Sequence, residues 1–134
     1  MRAAWSPEEL ERLSRAEELL IAARRAEGTL RRWVPIWAVS VGGQVYVRTW
    51  YRRDSGWFAR VLDSRRARIR VPGLEADVLI QDVGAGGAKL HADVDDAYRK
   101  KYVLIGRDAV DRMVTLDAAA ATLQLIPEQG SCAG

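Results

Sequence analysis

The residues best suited to chemistry lie on one face of one predicted hairpin. Trp33, Trp37 and Trp50, three of the five tryptophans, alternate onto the same side as Tyr46, Arg48 and Arg52. The alternation follows from Gly42-Gly43, a two-residue loop of the kind tight hairpins require. Centring the turn there sets Val41 opposite Gln44, Val39 opposite Tyr46, Trp37 opposite Arg48 and Pro35 opposite Trp50. Trp37 facing Arg48 predicts a cation–π contact of about 0.5–2 kcal/mol. Two readings fit this face. It is a homodimer seam, where Trp, Tyr and Arg are enriched, or a site that stacks a planar ring on Trp while Arg holds an anionic group. A ligand held in the seam satisfies both.

Other constellations are weaker. His91 is the only histidine and Cys132 the only cysteine, with no Gly-x-Ser-x-Gly elbow, so nucleophilic hydrolase chemistry finds no support. His91 and Asp95 stand one helical turn apart and could offer two metal ligands, but no third is signalled, and an exposed i, i+4 pair is the simpler reading. No metal site is expected. Gly84-Ala85-Gly86-Gly87 lacks the third dinucleotide-binding glycine, because Lys89 stands there, and reads as a flexible connection. The run Arg65, Arg66, Arg68 and Arg70 invites nucleic-acid binding. A hairpin turning at Pro72-Gly73 instead pairs Arg70 with Glu75 and Arg68 with Asp77, which accounts for two of the four by cross-strand charge pairing. No nucleic-acid partner is expected.

The elements that must carry these residues can be read in order. Ser6, Pro7 and Glu9 form a helix start with a capping box, and the helix ends near Arg15. Residues 19–23 read as a strand closed by the turn at Glu27-Gly28-Thr29. In the first hairpin, Val34, Ile36, Ala38, Ser40, Val45, Val47, Thr49 and Tyr51 form a small, apolar face suited to a barrel interior. Gly56 to Ser64 reads as a helix burying Trp57, Val61 and Leu62. Leu90, Val94, Ala97, Tyr98, Lys101 and Tyr102 have helical spacing, and a last strand from Thr122 stops at Pro127. Six strands with helices between and after them predict an α+β protein built on a small barrel.

The 134 residues suffice for one domain, placed at 1–127, with a disordered tail at 128–134. Hydrophobic residues at 49% and charged residues at 29% exclude a disordered or rod-like chain. The net charge of +3 is a mild bias, carried almost wholly by arginine. One cysteine forbids an intrachain disulfide, and no apolar run is long enough to span a bilayer. With Glu8, Glu9 and Glu11 where a signal peptide would be apolar, a cytoplasmic protein with no membrane partner is expected.

From about Trp5 to Pro127 the chain resembles domain of unknown function family 2255. The likeness rests on Gly28-Thr29-Leu30-Arg31, Ile36-Trp37, Tyr46-Val47-Arg48-Thr49, Trp57-Phe58, Ala97-Tyr98-Arg99, Lys101-Tyr102, Met113-Val114, and Thr122-Leu123 with Leu125 and Pro127. That family resembles the flavin- and deazaflavin-binding split barrels, the group of the pyridoxamine-phosphate oxidases. The resemblance implies a six-stranded split β-barrel with peripheral helices, a homodimer, and cofactor sites in its seam. It implies flavin mononucleotide or deazaflavin contacts at Arg32, Arg48, Thr49, Trp57 and Arg60, to which the aromatic–cationic face adds Trp37 and Trp50, with Arg32 and Arg60 as phosphate or carboxylate partners. The bulky Trp50-Tyr51-Arg52-Arg53 and Val103-Leu104-Ile105 depart from the family's smaller residues, so the absence of any cofactor is equally consistent. Three functions follow. The first is an oxidoreductase acting on a small hydrophobic substrate. The second is a cofactor-free cyclase or isomerase of secondary metabolism, with Arg48, Tyr46 or Tyr51 polarising a carbonyl as catalytic residues. The third is a non-catalytic ligand-binding homodimer.

Overall fold

The computed structural model describes residues 4–48, 56–84, 86–102, 111 and 121–128. Helix α1 (Pro7–Arg15) begins where local chemistry dictates. Ser6 Oγ accepts from the Glu9 N–H at 3.2 Å, and Glu9 Oε1 accepts from the Ser6 N–H at 2.8 Å. Strands β1 (Leu19–Ala23), β2 (Val34–Ile36), β3 (Ala38–Val41) and β4 (Gln44–Arg48) follow. Helix α2 (Gly56–Ser64) leads into β5 (Arg66–Val71) and β6 (Leu74–Asp82), then α3 (Ala88–Tyr102) and β7 (Thr122–Pro127).

Every strand pairing is antiparallel, in the order β2-β1-β5-β6-β7-β4-β3. The two edge strands, β2 and β3, are consecutive in the chain and separated by Trp37 alone. The sheet must therefore curl until its edges meet, which gives a nearly closed barrel. Seven strands are present where the sequence suggests six, because the run 34–41 divides at Trp37. Its first part pairs with β1, setting Pro35 opposite Leu20, and not with β4 as the hairpin register extrapolates. The register nearest the Gly42-Gly43 turn is as expected, with Val39 opposite Tyr46 and Val41 opposite Gln44. The second hairpin pairs Arg70 with Glu75 and Arg68 with Asp77, also as expected. Hydrogen bonds from Arg70 and Arg68 hold the Glu75 and Asp77 carboxyls below their ordinary range.

The barrel interior is filled by the face the sequence assigns to it: Ile36, Ala38, Val45 and Val47 pack with Ile21, Ile69, Val78, Leu123 and Leu125. Trp5 joins this core, and its Nε1–H donates to the Leu125 carbonyl at 3.0 Å. From α2 the fully buried side chains are Phe58 and Val61; Trp57 and Leu62 are only partly covered. Glu128, assigned by sequence to the tail, donates its N–H to Asp77 O at 3.0 Å and pairs with Arg66 at 3.1 Å. Residues 129–134 lie outside the described residues.

A second, smaller core lies on the barrel's outer side, where α3 lays Val94, Tyr98 and Tyr102 over Val39 and Tyr46. Here α3 also meets the backbone at the break between β2 and β3. Tyr98 Oη donates to Trp37 O at 2.9 Å. Tyr102 Oη accepts from the Ala38 N–H at 3.3 Å and donates to Ala38 O at 3.2 Å. Burial pushes both phenols above their ordinary values, so they stay protonated donors. A Tyr102→Phe variant leaves the buried Ala38 N–H without its acceptor and should lose about 1–3 kcal/mol of stability. Urea unfolding measures this, and an unchanged midpoint would show that the tyrosine cap is dispensable.

Candidate functional site

The aromatic–cationic face divides into three parts. Trp33 belongs to the other end of the segment, where the Arg70 guanidinium lies 4.5 Å from its ring centroid. Trp37 stacks on Tyr102, with centroids 4.1 Å apart and planes within 4°. Arg48 lies over Tyr98 at 5.9 Å instead of over Trp37. Trp37 sits at the strand break, past the last β3–β4 pair, so the register that would have set it against Arg48 ends at Ala38 and Val47. Thr49, Trp50 and Tyr51 lie outside the described residues.

Arg48 is the largest fully buried side chain of the described residues. A buried guanidinium must be paired and hydrogen-bonded. Its Nε–H donates to Thr122 Oγ1 at 2.8 Å, and one terminal nitrogen donates to Asp95. The other reaches His91 Nδ1 and His91 O, each at 3.4 Å. Because arginine only donates, His91 Nδ1 must accept, so the ring proton sits on Nε2 and is donated to Gly84 O at 3.0 Å. The pair His91 and Asp95, read from sequence as solvent-facing, is turned inward as the counterpart of Arg48. Among the described residues no group of three His, Cys, Asp or Glu is placed to hold a metal ion. Tyr46 is also buried in this layer, which pushes its phenol up.

The open site is elsewhere. A cleft of about 680 Å³ runs along α2 and the end of β1, lined by Arg24, Arg25, Arg31, Arg60 and Arg66 together with Gly56, Asp63 and Ser64. Three separate segments bring these arginines together. Arg24 is held by Asp77 at 2.7 Å and by Gly28 O at 2.6 Å, Arg25 by Leu30 O at 3.0 Å, and Arg66 by Glu128. Among the described residues Arg31 and Arg60 have no carboxylate within ion-pairing distance. Arg24 Nε is buried without an acceptor. A cleft with guanidinium groups to spare and the first residue of a helix is chemically suited to a phosphate or carboxylate.

Of the described residues expected to hold a cofactor, only Arg60 lines this cleft. Arg32 is exposed beside it, and its neighbour Arg31 takes the place in the lining. Trp57 packs edge-on against Phe58, centroids 5.6 Å apart. Sequence reasoning missed Arg24, Arg25, Arg31 and Arg66. Their one visible signal is the doublets Arg24-Arg25, Arg31-Arg32 and Arg65-Arg66 at the ends of extended segments.

The family profile of DUF2255, described as uncharacterized proteins conserved in bacteria, matches residues 9–125. The chain belongs to this family. No curated protein sequence is similar to this DUF2255 chain. Solved structures share its fold. The heme storage protein HutZ of Vibrio cholerae superposes with a TM-score of 0.65 at 18% identity, covering 97% of this chain and 93% of that one. An FAD-binding protein of Mesorhizobium loti gives 0.55 at 15% identity, covering 94% and 92%. A protein of Bacteroides thetaiotaomicron described as a putative 5-nitroimidazole antibiotic resistance protein gives 0.63 at 9% identity, covering 95% and 82%. The DUF2255 chain thus has a split β-barrel fold that it shares with these solved structures. Among the described residues no helix is long and apolar enough to cross a membrane.

The Arg48 network carries its own expectation. Removing Asp95 as Asp95→Ala takes a carboxylate partner from the buried guanidinium and should cost about 3–5 kcal/mol. A chemical denaturation midpoint within error of the parent protein would show that the other partners of Arg48 suffice.

Proposed function

We propose that this DUF2255 protein binds a phosphate-bearing flavin or deazaflavin and acts as an oxidoreductase on a small hydrophobic substrate. The observation that carries the reading is the arginine cleft. Arg31 and Arg60 would hold the phosphate, with the start of α2 at Gly56 adding backbone donors. A bound flavin or deazaflavin would supply the hydride or electron-pair transfer. The chain's own residues bind and orient. Arg48, enclosed beneath α3, acts in this reading as a positioning residue that fixes α3 on the barrel, while Thr49, Trp50 and Trp57 keep the cofactor-contact role expected of them. That an FAD-binding protein shares the fold supports the class of ligand.

We further propose that the working unit is a homodimer, as the family likeness implies. The cyclase or isomerase reading gains no support from Arg48 and Tyr46, since both are covered where they would need to meet a carbonyl.

Titration with riboflavin 5′-phosphate and with a deazaflavin, followed by ring fluorescence, tests the proposal. Micromolar binding is expected, weakened about tenfold or more by Arg60→Gln or Arg31→Gln, since a charge-assisted hydrogen bond contributes about 1.5–3 kcal/mol. Failure of both compounds to bind, or variants that bind as tightly as the parent, would overturn it. Light scattering on the same samples should give twice the monomer mass; a monomer at micromolar concentration would remove the dimer.

A further inference from the structure

A second cleft, of about 510 Å³, lies between α1, α3 and the free edge of β3. Val39, Val41 and Ala97 give it aliphatic walls, Ser14 and Ser40 give it hydroxyls, and Lys101 projects into its lining. The three lysines of the chain differ sharply in setting. Lys89 pairs with Asp93 at 3.2 Å and Lys100 with Asp96 at 2.9 Å, and both are largely exposed. Those two aspartates are the carboxylates of the cleft, and both are already engaged. Lys101 is partly buried and has no carboxylate counter-ion among the described residues. Its Nζ donates to Ala38 O at 2.6 Å and Leu13 O at 3.1 Å, and it lies 5.2 Å from the Tyr102 ring centroid.

We propose that Lys101 is a nucleophilic amine that captures a small aldehyde or ketone in this cleft as a Schiff base. Two hydrogen bonds to carbonyls favour the ammonium, but neither need be lost with its proton. A neutral amine keeps two N–H groups, enough for both bonds, and deprotonation frees a lone pair without breaking either. Burial, with no carboxylate to offset it, pushes the ammonium down to about 8. The lone pair attacks the carbonyl carbon, one N–H proton passes to the carbonyl oxygen, and loss of water leaves a C=N bond. In the protonated imine the remaining N–H can stay with one of the two backbone oxygens, and Ala38 O is the nearer. Ser14 and Ser40, whose hydroxyls lie 3.4 Å apart, are the donors available to the carbonyl oxygen. The site is separate from the arginine cleft and uses no redox cofactor.

Reductive trapping tests this on the full chain. The protein is treated with acetaldehyde and cyanoborohydride over a pH series, and the alkylation rate is read at each lysine by peptide mass mapping, with the N-terminal amine resolved in its own peptide. At pH 8 an amine with pKa about 8 is half neutral, whereas an ordinary lysine is under about 1% neutral. Lys101 should therefore react at least about tenfold faster than Lys89 and Lys100, with a rate that levels off above pH 8 while theirs keeps rising. A Lys101→Arg variant, folded by circular dichroism, should lose the fast site and keep the slow ones. Alkylation of Lys101 no faster than that of Lys89 and Lys100 would overturn the proposal and leave Lys101 a structural clip.

Discussion

One extended segment, residues 34–41, has to supply both edges of a seven-stranded sheet. That constraint shapes the rest of the molecule. A strand that leaves one edge and joins the other must release its backbone groups at the crossing point, and buried unpaired groups cost more than a hydrogen bond returns. Here the crossing falls at Trp37 and Ala38, and α3 answers it with Tyr98, Lys101 and Tyr102. These side chains do for the edge what a further strand would do. They also set where α3 lies, and so cover Tyr46, Val39 and Arg48.

The placement of α3 explains why the most conspicuous residues are not the most available ones. Arg48 on an apolar strand face needs a partner, and α3 brings Asp95 and His91 to it. A guanidinium so enclosed fixes geometry: each of its three nitrogens is directed at a different element or atom, from Thr122 on β7 to His91 on α3. Meanwhile α2 packs on β1, β5 and β6, away from α3, and leaves a line of arginines facing an open cleft. The enclosed Arg48 and the arginines of the open cleft are thereby sorted onto different parts of the barrel.

Much of this was legible in the sequence, for reasons that are local. Ser6-Pro7 with Glu9, Gly42-Gly43 and Pro72-Gly73 each fix a boundary or register through contacts a few residues long, and all three are seen as expected. The alternation that sends Ile36, Ala38, Val45 and Val47 inward is likewise a property of the strand itself. The break at Trp37 was not legible, because the backbone stays extended through it and only the choice of neighbouring strand changes. Thr122, Asp95 and His91 reach Arg48 from 43 to 74 residues away, and nothing in a single sequence reports that distance. The arginine cleft is harder still. It forms from doublets at the ends of unrelated elements, each of which reads alone as ordinary surface charge.

The central claim is that ligand-facing and structural arginines are distinct groups, with Arg31 and Arg60 in the first and Arg48 in the second. Two-dimensional NMR of the arginine Nε–H groups reads each guanidinium separately during titration with inorganic phosphate and with riboflavin 5′-phosphate. The account predicts that the Arg31 and Arg60 signals move with both anions, while Arg48 keeps its shift and its slow solvent exchange. Movement of Arg48 with Arg31 and Arg60 unchanged would contradict it, and would place the anion site beneath α3.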